Sequence, residues 1–514
     1  MEQSKPRMFS VDSKNADVGL QSPPYSRTTT LVASPTSPAP AKPSLADKHC
    51  WRVASAFLCF FAIGWGDAST GVLMPEIQDN FNLDFTLGSM LFMAGSVSYA
   101  LATFIVAPSA RLLGRYNLSS ERGSFLPLLF SRQNVGHSNN KGRYLSLFVF
   151  GLFHCAYFLI AALSPQYAGV LAGFFIGGVG KSVLIAQINV FWTTNPRLNG
   201  IALLHGVYGV GALVSPLICQ TLKSRGYSWR NFFYISLGLA VFNVAYGLFA
   251  FRPTQSEFQV EKQLALASQA LSATKGDEKM ETEPSSPTTD KKNSKVGMLQ
   301  AMAMPYVWAI SVFLGVYQGA ETIAQGFIVT FLLHERQANP STVGYAASGF
   351  WAGLALGRVI WGILSPRFSQ KVKIFYVNTV LVLGIGFHTL IWRVESVLID
   401  SIMVALLGLL AGPTFPLILD IATNPNTKQA PGTPSLLPVL SAEIQLTALA
   451  LASSTGAIGG AIFSLSAGVA ANAHGAYVVE PLAMATLGFV FCFWVSVQII
   501  SKLVRRASSC IETV

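Results

Sequence analysis

Apolar residues occur along the chain in long runs that short polar segments separate. Most runs hold about 20 residues, which is the length of a helix that crosses a bilayer. We therefore predict about twelve membrane-spanning helices. The first six lie near residues 51–74, 86–107, 144–163, 168–192, 200–222 and 229–250, and the second six lie near 305–333, 342–364, 374–392, 397–420, 441–470 and 480–501.

Polar segments define the domain organisation. Residues 1–50 are rich in Pro, Ser and Thr, which predicts a disordered cytosolic tail, and residues 502–514 form a short second tail in the cytosol. The charged segment 252–300 predicts a cytosolic linker between two six-helix bundles, 51–251 and 301–501. The predicted fold class is an all-α integral membrane protein with twelve transmembrane helices in two six-helix halves. Transporters built from parallel repeats have this plan, with the site between the halves near the bilayer midplane.

The composition agrees with a membrane protein and argues against other classes. The 514 residues are 51% hydrophobic and 11% charged, whereas soluble domains hold about 25% charged residues. The net charge of +11 does not indicate nucleic-acid binding, because the basic residues lie between the spans. The six cysteines form neither a disulfide framework nor a metal-ligand spacing. Without a phosphate loop or a Gly-x-Ser-x-Gly motif, we expect no enzyme activity, no cofactor and no metal.

The distribution of lysine and arginine predicts the orientation. Most of the 35 basic residues lie in the tails and in the even-numbered loops, which therefore face the cytosol together with both termini. No cleavable signal precedes the first span, so we expect that span to act as a signal anchor. Only a few basic residues lie in the odd-numbered loops, and these are Lys223, Arg225, Arg230, Arg336 and Arg393.

Three charged residues inside the spans are candidates for proton coupling or substrate binding. Asp67 lies in the first span, Lys181 in the fourth and Glu321 in the seventh. A charge at the bilayer centre costs about 2.5–3.5 kcal/mol on insertion scales, so a chain keeps it where it has a partner or water. We expect Lys181 to pair with Asp67 or Glu321, which leaves a formal charge of −1 on the three groups. The alternative for each residue is a structural role, in which it is a fixed partner of another group and takes no part in transport.

Polar and aromatic side chains in the same spans are candidates for substrate binding. Amides can hydrogen-bond a hydroxylated solute, while aromatic rings can stack on it. For each of them helix packing is the alternative, and for His205 packing is the preferred interpretation. Arg358 lies far enough from its span's centre to extend toward the cytosol. The candidates are Gln187, Asn189, Gln318, Gln325, Trp65, Tyr208 and Tyr317.

Four stretches resemble the major facilitator superfamily, and within it a fungal branch similar to the fucose-permease group. The resemblance implies alternating access, a cavity lined by spans 1, 4, 7 and 10, and proton coupling through an acid on the first span, which matches Asp67. The stretches are Gly64 to Ile77, Arg197 to Asn199 with His205 to Pro216, Tyr317 to Thr322 with Gly349 to Arg358, and Gly408 to Pro416.

The chain departs from that pattern at two places. The fucose-permease pattern has a glutamate on the fourth span, whereas this chain has no acid between Gly177 and Trp192 and carries Lys181 instead. The loop after the second span is interrupted by the polar segment 116–140. We interpret this segment as a genuine insertion or as a retained intron of the gene model, and we expect its removal to leave folding and transport intact or improved.

These patterns together favour a secondary transporter. We expect proton-coupled movement of a small polar solute such as a sugar, through a monomer in the plasma membrane or in a vacuolar or other internal membrane. Its partners are then the solute, protons and the lipid bilayer. One alternative is export of a metabolite or toxin, although Ser215 replaces a glycine of the drug-antiporter signature Gly-x-x-x-Gly-Pro. The other alternative is a solute sensor that does not transport.

Overall fold

The computed structural model describes residues 48–120, 135–195, 197–198, 202–277, 303–423 and 442–512. Twelve helices in these ranges are long and apolar enough to cross a membrane, which confirms the predicted fold class. The N-terminal half contains α1 (His49–Phe81), α2 (Phe85–Thr103), α3 (Val106–Leu113), α4 (Asn139–Leu163), α5 (Tyr167–Thr194), α6 (Ala202–Ser224) and α7 (Arg230–Phe251). The predicted tail 1–50 lies almost entirely outside the described residues.

The C-terminal half follows a helix in the predicted linker. That helix is α8 (Gln255–Asp277), and the rest of the linker up to residue 302 lies outside the described residues. Beyond it lie α9 (Pro305–Glu335), α10 (Gly344–Leu364), α11 (Gln370–Arg393), α12 (Val397–Ala411), α13 (Thr414–Thr423), α14 (Ala442–His474) and α15 (Val479–Glu512), together with short 3₁₀ turns at Ser365–Arg367 and Ala476–Val478.

The helix ends differ from the predicted spans where local chemistry overrides hydropathy. Helix α1 continues past residue 74 through Pro75 and ends at Asn82, whose left-handed backbone (φ 51°) lets its N–H donate to the carbonyl of Gln78. The predicted tenth span divides into α12 and α13. The interruption contains Gly412 and Pro413, and proline has no N–H to continue a helix.

The segment predicted as a dispensable insertion is folded at both ends. Strand β1 (Arg115–Asn117) pairs antiparallel with β2 (Val135–His137) to form a hairpin. Tyr116 and Leu118 are buried against Phe258 of α8. Ser138 caps α4 by accepting from the N–H of Lys141 at 3.0 Å. A deletion of 116–140 would remove this apolar cluster and a helix cap that is worth about 1 kcal/mol. The folded ends therefore argue against the expectation that removal leaves folding and transport intact or improved, which stays a prediction.

Helix α8 is fastened to the N-terminal half by charge as well as by packing. The guanidinium of Arg52 donates to both carboxylate oxygens of Glu257, at 2.6 and 2.9 Å. Glu261 accepts from the N–H of Asn140 at 3.2 Å and from the hydroxyl of Ser138. Lys262 donates to a carbonyl of the segment after β1. We call the end of the bundle formed by the start of α1, the hairpin and α8 the near end.

Buried polar contacts join the helices at the opposite end, which we call the far end, where α1 finishes. Arg336, which follows α9, donates to Asp400 at 3.0 Å and to the carbonyl of Ile391 at 2.6 Å. His388 of α11 lies 2.5 Å from the Glu480 carboxylate of α15. Removing one partner of a buried pair costs about 3–5 kcal/mol. These contacts therefore hold α9, α11, α12 and α15 together.

The Arg52–Glu257 contact predicts a pH-dependent docking of α8. Burial raises the pKa of Glu257, but the hydrogen bonds from Arg52 and Thr254 outweigh it and leave this pKa below the usual 4.5. A carboxylate with a lowered pKa stabilises the docked helix above the ordinary glutamate pKa, and the stabilisation is lost as the pH falls through the lowered value. A spin label at the exposed position Leu264 should therefore become mobile only at strongly acidic pH.

The control for this prediction is Glu257→Gln, which removes the titrating group and keeps the side-chain size. In that variant the mobility of the label should no longer change across the acidic range. If the wild-type protein and Glu257→Gln show the same pH profile, another group holds α8 in place.

Candidate functional site

The carboxylate of Asp67 is held by two other helices. The ammonium of Lys181, on α5, lies 2.5 Å from Oδ1 of Asp67. The hydroxyl of Tyr208, on α6, donates to Oδ2 at 2.8 Å. The side chains of Lys181 and Asp67 remain 22% and 26% exposed, so solvent reaches the pair. The structure thus pairs Lys181 with Asp67, one of the two acids that the sequence analysis gave as its partner.

Glycines on α1 and α6 bring Tyr208 to this position. A Cβ at Gly64 would lie 2.1 Å from the backbone oxygen of Tyr208, and a Cβ at Gly211 would lie 2.1 Å from the backbone oxygen of Phe61. No side chain fits at either distance. The two backbones therefore touch, as small residues allow between membrane helices. The close crossing places the Tyr208 side chain within hydrogen-bond reach of Asp67.

Glu321 has a different cation as its partner. It is buried on α9, where it hydrogen-bonds Gln318 and interacts electrostatically with Arg358 of α10. Arg358 also donates from Nε to the carbonyl of Gly412 at 3.2 Å. Its guanidinium lies 5.9 Å from the ring centroid of Tyr208. The side chain therefore points to the site, and the expectation that it extends away toward the cytosol is wrong.

A continuous set of interactions thus crosses between the two halves, and we call it the polar chain. It runs from Lys181 to Asp67, Tyr208, Arg358 and Glu321. Its two acids and two cations have a formal charge of zero. The predicted charge of −1 was for Asp67, Glu321 and Lys181 alone, and Arg358 adds the second cation.

The two acids of the polar chain lie at the same level in their helices. A Cβ at Gly71 would lie 2.6 Å from the backbone oxygen of Gln325 and 3.1 Å from Cα of Gly326. Helices α1 and α9 therefore cross at these residues. Asp67 and Glu321 each precede their own crossing residue by four positions, which is about 6 Å along a helix. Both acids lie one turn toward the near end from the crossing.

Two of the predicted aromatic contacts with a solute are occupied by packing. Trp65 donates from its indole N–H to Ser236 at 2.8 Å and stacks on Phe232, with centroids 5.2 Å apart and planes at 9°. Tyr317 donates to the carbonyl of Ala411 at 2.9 Å. Both side chains are buried within their own half. These contacts favour the packing alternative for both residues, and their stacking on a solute stays a prediction.

The predicted amides divide into two groups. Gln318 is engaged with Glu321, and Gln187 is buried on α5. Asn189 and Gln325 each keep a buried side-chain oxygen that has no hydrogen-bond partner among the described residues. An unpaired buried acceptor costs about 1–3 kcal/mol. Asn189 and Gln325 are therefore the predicted residues best suited to accept a hydrogen bond from a solute.

A glutamine that the sequence analysis did not single out joins the halves at the far end. Gln220 of α6 is fully buried. Its amide donates to the carbonyl of Pro340 at 3.0 Å, and its oxygen accepts from the N–H of Gly344 at 2.8 Å. On α14, a Cβ at Gly468 would lie 2.3 Å from the hydroxyl of Ser89 on α2. The far end is therefore closed between the halves.

Gln220→Leu should open the far end more often, because leucine has a similar size and makes neither bond. Two hydrogen bonds of about 0.5–1.5 kcal/mol each predict a rise on the order of ten-fold in the labelling rate of a cysteine introduced at Ala338. The matched control is Thr221→Val on the same helix, because its hydroxyl bonds only to its own helix, at 2.7 Å. Equal labelling in Gln220→Leu and the wild-type protein would contradict the prediction.

Known structures share this architecture. A D-xylose–proton symporter is 12% identical, with a TM-score of 0.60 over 87% of this chain and 97% of that chain. The fucose:proton symporter of E. coli is 16% identical, with a TM-score of 0.51 over 87% of this chain and 99% of that chain. At these identities the likeness shows the fold alone.

Sequence comparisons identify the family. The Saccharomyces cerevisiae protein called bypass of stop codon protein 6 is 24% identical over 440 residues, which cover 82% of this chain and 78% of that protein. The family model described as Major Facilitator Superfamily matches residues 136–435, which is more than half of the chain. With twelve apolar helices that can span a membrane, the chain is a multi-pass membrane transporter and belongs to the Major Facilitator Superfamily.

Proposed function

We propose that the protein is a proton-coupled transporter of a small polar, hydroxylated solute such as a sugar, and that Asp67 binds the proton. The observation that carries this proposal is the polar chain. One carboxylate in it is held by a cation of its own half and by Tyr208. Tyr208 in turn meets Arg358 of the other half. A change in the charge of Asp67 therefore acts on a contact between the halves.

Protonation is the event that changes this contact. A neutral carboxyl no longer attracts the ammonium of Lys181 and is a weaker acceptor for the hydroxyl of Tyr208. Tyr208 is then free to leave Asp67, and its contact with Arg358 weakens with it. The helices that carry these residues are α6 and α10, whose close approach includes Gly209 and Ala355. Loosening that approach allows the halves to rock between two states, as in alternating access.

The formal charge of the polar chain determines how the membrane potential acts on the proton-loaded state. With all four groups ionised the formal charge is zero, so one bound proton gives +1. Moving one charge through a membrane potential is worth about 2.3 kcal/mol per 100 mV. With the near end in the cytosol, as the basic residues predict, a negative interior drives the loaded state inward. The termini then lie in the cytosol, and the plasma membrane is the proposed location.

The proposed solute follows from the unpaired acceptors. The amide oxygens of Asn189 and Gln325 are buried without a described partner, and each accepts a hydrogen bond from a solute hydroxyl. The two neighbours with a similar fold are named as proton symporters of D-xylose and of fucose. Those names belong to other proteins, but they make pentoses and deoxyhexoses the first solutes to test. The proposed functional unit is a monomer, so the protein should transport in vesicles without another subunit.

Asp67→Asn should lose accumulation of solute driven by a pH gradient and keep exchange of labelled for unlabelled solute. Asparagine keeps the size of the side chain but takes up no proton, whereas exchange needs no net proton movement. Glu321→Gln should also impair coupling, and the double variant should be little worse than either single variant, because residues of one network act non-additively. The measurement is solute and proton flux in vesicles.

The matched control is Asp79→Asn, the same change at an exposed acid on the same helix. It should accumulate solute as the wild-type protein does. Full accumulation by Asp67→Asn would show that another group carries the proton. Strictly additive losses in the double variant would show that Asp67 and Glu321 act separately. Accumulation driven by the opposite pH gradient would identify an antiporter.

A further inference from the structure

A histidine beside the site is buried without a hydrogen bond of normal geometry among the described residues. His154 lies on α4 with 3% of its surface exposed. Neither ring nitrogen makes a hydrogen bond of normal geometry among the described residues, although the backbone carbonyl of Ala62 lies close enough to accept a weak hydrogen bond from the ring. Leaving a polar group buried and unpaired costs about 1–3 kcal/mol. A phenylalanine would fill the same aromatic surroundings without that cost.

Packing from two sides places the helix that carries this imidazole against the residues that precede Asp67 and Lys181. A Cβ at Gly180, the residue before Lys181, would lie 3.1 Å from the backbone nitrogen of His154. A Cβ at Gly66, the residue before Asp67, would lie 3.2 Å from the ring of Phe158. The rings of Phe158 and His154 meet edge to face, with centroids 4.8 Å apart.

The charged side chains that act on the imidazole ring are Asp67 and Lys181 of the candidate site. Asp67 on α1 and Lys181 on α5 both act electrostatically on the imidazole, in opposite senses. Its own helix presents the rings of Tyr157 and Phe158. Imidazole is the side chain whose ordinary titration falls near neutral pH, and it binds a proton through a free nitrogen lone pair. His154 therefore combines a free proton acceptor with direct electrostatic coupling to Asp67.

We propose that His154 is a second proton-binding group of the transport site, so that the coupled proton is shared between Asp67 and His154. This inference rests on the proposed proton-coupled function. The exchange requires the two side chains to move within hydrogen-bond reach; the O–H bond of the Asp67 carboxyl then breaks and an N–H bond forms on His154. The carboxylate is thereby restored and binds Lys181 and Tyr208 again, while the imidazolium keeps the charge. The two groups titrate as one coupled pair.

The sharing gives the site two proton-loaded arrangements. With the proton on Asp67, the polar chain is loosened and the halves can separate. With the proton on His154, the chain is intact and the proton stays in the N-terminal half. Burial of the ring disfavours imidazolium most strongly, and the two charges that face the ring act on this equilibrium in opposite senses. Removing Asp67 takes away an attraction for imidazolium, and removing Lys181 takes away a repulsion.

Nuclear magnetic resonance of the full-length protein in lipid nanodiscs tests proton binding directly. With ¹⁵N-labelled histidine, the signal that disappears in His154→Gln identifies the ring. Its titration midpoint should move to lower pH in Asp67→Asn and to higher pH in Lys181→Met, and should stay unchanged in Asp79→Asn. A ring that does not titrate, or a midpoint that neither variant moves, would overturn the proposal.

Transport gives the second readout. His154→Gln keeps a polar side chain that binds no proton, and His154→Phe suits the aromatic neighbours if the first variant fails to fold. Both should retain solute exchange and lose at least about ten-fold in proton-driven accumulation. The matched control is His137→Gln at the exposed histidine of β2. Accumulation by a folded His154 variant at the wild-type level would contradict the proposal.

The two readouts separate this inference from the proposed function. If the wild-type protein does not respond to a pH gradient, proton coupling fails whatever the resonance of His154 shows. If the wild-type protein is coupled and the ring is insensitive to both Asp67 and Lys181, only the role of His154 fails.

Discussion

The structure depends on how one carboxylate is accommodated inside the bundle. Asp67 lies on α1, the longest described helix of the N-terminal half, where an unpaired charge costs about 2.5–3.5 kcal/mol on insertion scales. Its two oxygens are engaged by Lys181 and Tyr208, from two other helices. Breaking a buried pair by removing one partner costs more than the pair contributes when intact. The carboxylate therefore stabilises one arrangement of α1, α5 and α6 and makes that arrangement sensitive to its charge.

Close backbone contacts let each half respond as one body to a change in the charge of Asp67. Membrane helices gain little from apolar burial against one another, so they associate through packing at small residues. Gly64 and Gly211 fix α1 against α6 within one half, and Gly71 meets Gly326 across the halves. The hydrogen bonds of Gln220 add a polar contact across the halves at the far end. A rigid half with few polar contacts to the other half can move as a body when one of those contacts changes.

The sequence was sufficient for the spans, for the acids and for Lys181 as the partner of an acid, but insufficient for the partner of Glu321. Hydropathy located twelve spans because each must satisfy its backbone within a helix of fixed length. Asp67 and Glu321 were conspicuous because acids are rare in such spans. The partner of Glu321 was missed because Arg358 lies one helix away, and its orientation depends on packing against Tyr208.

Hydropathy also missed the break at Gly412–Pro413 and the hairpin, whose apolar residues Tyr116 and Leu118 stand in a polar segment. His154 gave only the weak signal of a single polar residue in an apolar run.

The central claim is that the charge of Asp67 controls the contact between the halves. The most direct measurement is the distance between spin labels at the exposed far-end positions Asn80 and Thr342, with the accessible native cysteines replaced. In the wild-type protein we expect the distance distribution to shift between acidic and neutral pH. In Asp67→Asn, which lacks the titrating group, we expect one distribution that does not depend on pH. A variant that keeps the wild-type pH response would contradict the account.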